Sequence, residues 1–351
     1  MTISRRTLLA GALAVPIAAR PGVAAASLPR LTLPAPTGPH RIGTRNLHLV
    51  NGDREMMASL WYPAAARGPR APFMPVAPWL AMIHNAGFGT DAPPPLTAAR
   101  LDAPPLPGRH PVVVYSHGSG ATRAETTIVV QELASHGYAV VTIDHTGDGF
   151  SEFPDGRLSV PDDEGTTPWD SAADVLFVLD QLPRWGGPLD LTRIGMFGWS
   201  KGATATALVM NTDRRVRAGL ALDGPMQSQP RPAAISRPFM LMTSTHSRTS
   251  PEGEPVEELW QQLRGWRLNV RTCGAEHSSY CDHQWLIPQL ARLSGTSDEE
   301  LASWIGTLDP GRAVRIQQAY PLAFFDQHLR GRPSRLLSGP SRAFPEIQFA
   351  P

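Results

Sequence analysis

The chain has 351 residues, 42% of them hydrophobic and 18% charged, with a formal net charge of +1. That composition builds a sizeable core and excludes a wholly disordered chain, and the length suits one large α/β domain or two modest ones. The near-neutral balance directs no long-range field toward nucleic acid or an acidic membrane, and no P-loop or zinc-finger spacing is present.

The opening residues read as an address. Ser4-Arg5-Arg6-Thr7-Leu8-Leu9 sets two arginines before an apolar run, Arg20 and Pro21 end it, and Val23-Ala24-Ala25-Ala26 follows. This layout predicts a cleaved export signal of the twin-arginine type over 1–26 and a periplasmic or secreted product. Residues 27–40 then read as a linker, 41–333 as the folded domain and 334–351 as a tail. No later run has the 18 or so unbroken apolar residues of a spanning helix.

Arg45 to Val50 and Glu55 to Tyr62 predict two strands around Asn51-Gly52, a hairpin signal. Much of the proline lies before residue 112, so 63–111 reads as turns and extended segments that cover one end of the fold and shape an entrance. From residue 111 the pattern is regular. Apolar strands at 112–115, 139–143, 193–197, 218–222, 239–242 and 269–271 alternate with helices at 126–136, 171–182, 203–210 and 257–263. A long helix over 312–329 closes the domain, with Pro321 expected to kink or break it. Such alternation predicts an α/β fold with a mostly parallel central sheet covered by helices on both faces. A dinucleotide-binding domain is not supported, because no G-x-G-x-x-G follows the first parallel strand.

The sharpest chemical signal is Gly198-Trp199-Ser200-Lys201-Gly202. It lies between a predicted strand and an Ala-rich helix, the setting of a G-x-S-x-G nucleophile elbow. A serine hydroxyl needs a base, and the base an orienting acid. Asp223 ends the strand 218–222, whereas the segment after 239–242 offers no carboxylate before Glu252. His277 follows the next strand, with His283 its nearest competitor. The order Ser200, Asp223, His277 is that of an α/β-hydrolase triad. The Lys201 amide, and the Ser119 amide in Ser116-His117-Gly118-Ser119-Gly120, are the candidate oxyanion donors, while the Lys201 side chain reads as solvated. Cys273 and Cys281 bracket the histidine loop, and an exported protein would bridge them as a disulfide. The run Cys273-x3-His277-x3-Cys281-x-His283 matches no common zinc site, so neither metal nor other cofactor is called for.

These residues also carry a resemblance. Pro111 to Gly120, Leu133 to Val141 leading to Asp144-His145, the elbow, Leu220 to Gly224 and Ala275 to His277 resemble the plasma-type platelet-activating-factor acetylhydrolase family and its bacterial relatives. Thr37 to Gly43, Leu60 to Pro63 and Ala323 to Leu329 extend the likeness over roughly 37–331, although Trp199 and Lys201 stand where the family has other residues. The resemblance implies an α/β-hydrolase fold, an acid placed one strand early at Asp223, and metal-free cleavage of short-chain acyl esters such as acetylated phospholipids. A general carboxylesterase or a polyesterase is the alternative, and a non-catalytic binding module the alternative of another class. The partner is a small-molecule ester or a lipid, with Trp79, Leu80, Met82 and Ile83 as candidates for transient contact with a lipid surface.

Overall fold

The computed structural model describes residues 28–65, 67–162 and 165–351, so the export-signal expectation over 1–26 lies outside the described residues. The expected hairpin is β1 (Ile42–Asn51) and β2 (Arg54–Pro63), paired antiparallel along their whole length. Its two-residue turn is Gly52-Asp53, where Gly52 takes φ 62°, a conformation that favours glycine. β3 (Arg70–Pro72), α1 (Val76–Asn85) and β4 (Leu96–Leu101) follow, which corrects the expectation that 63–111 holds only turns and extended chain. Proline is no obstacle to α1, because Pro75 caps it and Pro78 lies in its first turn, where backbone N–H groups have no helical partner.

The regular half runs β5 (His110–Ser116), α2 (Thr127–Ser135), β6 (Ala139–Ile143), a small hairpin of β7 (Ser151–Glu152) and β8 (Leu158–Ser159), α3 (Pro168–Gln181), β9 (Leu189–Trp199) and α4 (Lys201–Thr212). Then come β10 (Val216–Leu222), β11 (Phe239–Thr243), α5 (Glu254–Gln262), β12 (Arg267–Thr272), α6 (His283–Ser294), α7 (Asp298–Ile305), α8 (Pro310–Arg330) and β13 (Ile347–Ala350). The main sheet has the order β13-β12-β11-β10-β9-β5-β6-β2-β1-β4-β3. Its centre, from β6 through β12, is parallel, while β2 joins β6 and β13 joins β12 antiparallel.

Alternation along β5 shows how the sheet is buried on both faces. Val112 and Val114 enter one apolar cluster with Val175, Val178 and Leu179 of α3, Leu208 of α4 and Leu259 of α5. Val113 and Tyr115 enter another with Leu133 of α2 and Tyr320, Phe324 and Phe325 of α8. A third cluster joins Trp79 and Ile83 of α1 to Leu286, Ile287 and Leu290 of α6 and Ile305 of α7.

Three expectations at the edges need correction. The described part of the 27–40 linker packs on the domain: Leu31 is buried, and the Thr37 amide donates to Glu132 at 2.8 Å. Within the 334–351 tail lies β13, which completes the sheet beside β12. α8 runs through Pro321 without a break, held by the buried side chains on either side of the proline. No helix among the described residues is long and apolar enough to cross a membrane.

Candidate active site

β9 delivers Ser200 into the turn before α4 at φ 56° and ψ −122°, a strained conformation for a residue with a side chain. The turn is tight because atoms are missing. A Cβ on Gly198 would lie 2.1 Å from the Gly202 carbonyl carbon, and one on Gly202 would lie 2.0 Å from the Ser116 oxygen. Ser200 is held by its amide, which donates to the Leu222 carbonyl of the adjoining β10 at 3.0 Å.

Asp223 leaves that same strand one residue later, also at positive φ, 44°. Its carboxylate is fully buried. Oδ1 accepts from the Ser244 amide at 2.6 Å and the His246 amide at 3.1 Å, and Oδ2 pairs with His277 Nδ1 at 2.7 Å. Burial pushes this carboxyl up, but the His277 bond and charge, with the Ser244 amide, together outweigh it and hold it below the ordinary range. His277 follows β12 in a short turn of 3-10 helix and keeps part of its surface open. Its ring stacks on Trp199 at 4.6 Å, and the Trp199 indole donates to the His277 carbonyl at 3.0 Å. The structure therefore brings Ser200, Asp223 and His277 to neighbouring strand ends. The competitors fall away: His283 pairs with Glu125 at 3.2 Å, and Glu252 does not reach His277.

Of the two expected oxyanion donors, Lys201 directly follows Ser200, and the loop carrying Ser119 comes close to it, since a Cβ on Gly118 would lie 2.9 Å from the Ser200 Cβ. The Lys201 amide opens α4 and has no helical acceptor, so it and the positive end of the helix dipole are free for an anion. The Ser119 loop is braced by His117. His117 Nε2 accepts from the His145 amide at 2.9 Å, so Nδ1 carries the proton and donates to the Gly118 carbonyl at 2.7 Å. The Ala121 amide donates to the same carbonyl at 3.3 Å. In a trans peptide N–H and C=O point opposite ways, so fastening Gly118 O inward turns the Ser119 N–H outward. Ser119 itself is exposed.

The structure departs from expectation at Lys201 and at the two cysteines. The Lys201 side chain is buried rather than solvated. Its Nζ forms an ion pair with Asp148 Oδ2 at 2.5 Å and donates to Thr166 O and Oγ1 at 2.8 Å each. Asp148 O in turn accepts from the Gly120 amide at 2.8 Å, so one residue ties the elbow helix to the Ser119 loop. Cys273 and Cys281 are free thiols. Cys273 is exposed after β12, whereas Cys281 is buried and directs Sγ to the Ser278 carbonyl at 3.3 Å. The expected lipid contact also loses members: Trp79 is fully buried with its indole on Ala92 O at 2.7 Å, and Ile83 is buried beside it.

Sequence reasoning missed a second Ser-His-Asp chain. Ser116 Oγ lies 2.8 Å from His145 Nε2, and His145 Nδ1 lies 2.9 Å from Asp174 Oδ2. Arg54 grips both Asp174 oxygens at 2.6 and 2.7 Å. Neither Ser116 nor His145 meets solvent, at 0% and 1% exposure, so no substrate reaches them. It also missed an apolar pocket of about 120 Å³ beside the triad. Gly120 and His283 form its near wall, and Phe73, Phe88, Leu290 and Trp304 are among its lining. No motif marks these residues, because they come from four separated segments.

Comparisons with known proteins agree with this geometry. Residues 108–279 match the family model described as serine aminopeptidase, S33, and residues 25–151 match that of platelet-activating factor acetylhydrolase, isoform II. A probable 1-alkyl-2-acetylglycerophosphocholine esterase of Arthroderma benhamiae is 25% identical, over 68% of this chain and 66% of the relative. The platelet-activating factor acetylhydrolase of Cavia porcellus is 22% identical, over 77% of this chain and 74% of the relative. Among solved structures, the ferulic acid esterase from Streptomyces cinnamoneus is 34% identical with a TM-score of 0.81, covering 91% of this chain and 99% of that one.

Proposed function

For a chain that belongs to the platelet-activating-factor-acetylhydrolase-like α/β-hydrolases and is a carboxylic ester hydrolase, we propose that Ser200, His277 and Asp223 are the catalytic triad. The observation that carries this is the 2.7 Å pairing of His277 with the buried Asp223 beside a strained serine at a strand-to-helix turn. Asp223 stays ionised and fixes the proton of His277 on Nδ1, which leaves Nε2 as the base. Ser200 Oγ attacks the ester carbonyl while Nε2 takes its proton. The oxyanion is met by the Ser119 and Lys201 amides. The same proton then passes to the leaving alkoxide, which departs as the alcohol. Water, deprotonated by His277, attacks the acyl-enzyme and releases the carboxylic acid with Ser200 restored.

The substrate is an ester with a short or compact acyl group. The pocket beside the Ser119 loop, about 120 Å³, is smaller than a cavity of about 150 Å³ that admits benzene. Its enclosed part fits an acetyl or similarly short acyl group. Acetylated phospholipids are one such class, in keeping with the activities for which the fungal and animal relatives are named. Export by the twin-arginine route, supported by Arg5-Arg6 and the apolar run after them, would place the reaction outside the cytoplasm.

The test is labelling of the full chain with a fluorophosphonate, with the modified residue mapped by mass spectrometry, followed by turnover of p-nitrophenyl esters of increasing acyl length. Label on Ser200 that is lost in His277→Ala, with kcat/KM falling at least tenfold from acetyl to octanoyl, is expected. Label elsewhere overturns the triad, and a flat or rising acyl series overturns the pocket reading.

A further inference from the structure

We propose that Glu125, Cys281 and His283 form a binding site for a divalent transition cation of the zinc class on the wall of the apolar pocket. Each offers one ligand atom, and the three atoms lie within 4.8 Å of one another. Donors on a tetrahedral zinc ion, with bonds of about 2.0–2.3 Å, stand roughly 3.3–3.7 Å apart, so small side-chain adjustments close the set. Thiolate, imidazole and carboxylate are the donor types that suit this ion.

The surroundings point the same way. Glu125 is 3% exposed, yet its Oε2 has no hydrogen-bond partner, while Oε1 faces His283 Nε2 at 3.2 Å. Asp282, between the other two ligands in sequence, does not compete, because its oxygens accept from the Thr127 and Ile128 amides at the start of α2. A thiolate and a carboxylate balance a dication, so the occupied site is electrically neutral, which a poorly hydrated site requires. Binding replaces the Cys281 S–H bond with a metal–sulfur bond and releases that proton to solvent. Glu125 and His283 line the pocket, so the fourth coordination position opens into it. His283 also meets Trp199 edge-on at 6.0 Å, and Trp199 carries the ring of His277. An ion there takes up pocket volume next to the triad and inhibits ester turnover. This inhibition rests on the proposed function, whereas the binding does not.

The test is titration of the metal-free full chain with Co²⁺, reading thiolate-to-cobalt charge-transfer absorption. One equivalent is expected to bind with a Kd in the micromolar range and to be displaced by Zn²⁺. Cys273→Ser should keep the band. Cys281→Ser and Cys281→Ala should lose it while still labelling with fluorophosphonate, and Glu125→Gln should weaken affinity at least tenfold. No saturable band, or a band that survives in both Cys281 variants, overturns the site. Zn²⁺ inhibition that persists undiminished in Cys281→Ser assigns the effect to Asp223, His246 and His277 instead and overturns the inhibitory role.

Discussion

Two Ser-His-Asp sets occur in this protein, and in each the histidine Nδ1 pairs with an aspartate, at 2.7 Å to Asp223 and at 2.9 Å to Asp174. Ser200, Asp223 and His277 follow β9, β10 and β12, with the serine forced to positive φ and the imidazole partly open. Ser116, His145 and Asp174 lie under the surface, with the serine still in β5 and its hydroxyl spent on His145. The first faces a pocket and free amide donors, and the second faces packed protein. Residue types and spacing alone do not make a nucleophile. Backbone strain, access and a place for the oxyanion do. The buried chain instead works as a brace, because His145 also fixes His117 and through it the Ser119 peptide.

The contrast can be broken by mutation. Ser200→Ala should lower kcat by about 10⁶-fold with an unchanged melting temperature, whereas Ser116→Ala should keep its labelling with fluorophosphonate and lose about 1–2 kcal/mol of stability from the unpaired His145 nitrogen. Loss of turnover in Ser116→Ala with full stability would erase the distinction. Next, Asp223→Asn should cost about 10⁴-fold in kcat by releasing the wrong imidazole tautomer. Asp174→Asn should cost about 2 kcal/mol in denaturant unfolding, less than a fully buried pair because Arg54 is about a third exposed, with activity per folded molecule within a few fold. Trp199→Phe keeps the stacked ring but removes the indole bond to the His277 carbonyl, and should lower kcat about three- to tenfold with little change in KM.

A further effect concerns acid. Burial, and then the neighbouring His145, push His117 down to about 4 from its ordinary 6.5. In that window the unfolded chain binds a proton that the native chain refuses. The native state is thus at full strength above pH 6.5 and weakens as pH falls toward 4, by up to about 3 kcal/mol from this group. His117→Asn should flatten that slope by one proton's share in urea titrations between pH 7 and 4, and an unchanged slope would show that His117 is not held neutral.

The parallel half was legible because buried strands are unbroken apolar runs and the elbow needs two glycines at fixed places. Asp223 was legible because the strand before it ends abruptly and the next offers no carboxylate. Elsewhere local signals misled. α1 hid among prolines that a first turn tolerates, and β13 is only four residues, defined by its partner β12 rather than by its own pattern. α6 and α7 lie in a stretch without a clear periodic signal, and their apolar faces make sense only against α1. Lys201 and Asp148 find each other across a fold that no spacing reveals, and the two thiols are separated by burial rather than by sequence.

The interlock of Gly198, Gly202 and Gly118 sets a rule for change in this molecule. A Cβ on Gly118 would come within 2.5 Å of the Trp199 ring and 2.9 Å of the Ser200 Cβ, so the position of Ser200 is defined by vacancies that admit no intermediate size. A selection for new substrates cannot re-aim this serine by small steps. It can only refurnish the walls, at Phe73, Met82, Ile287 or Trp304, around a muzzle whose bore stays fixed.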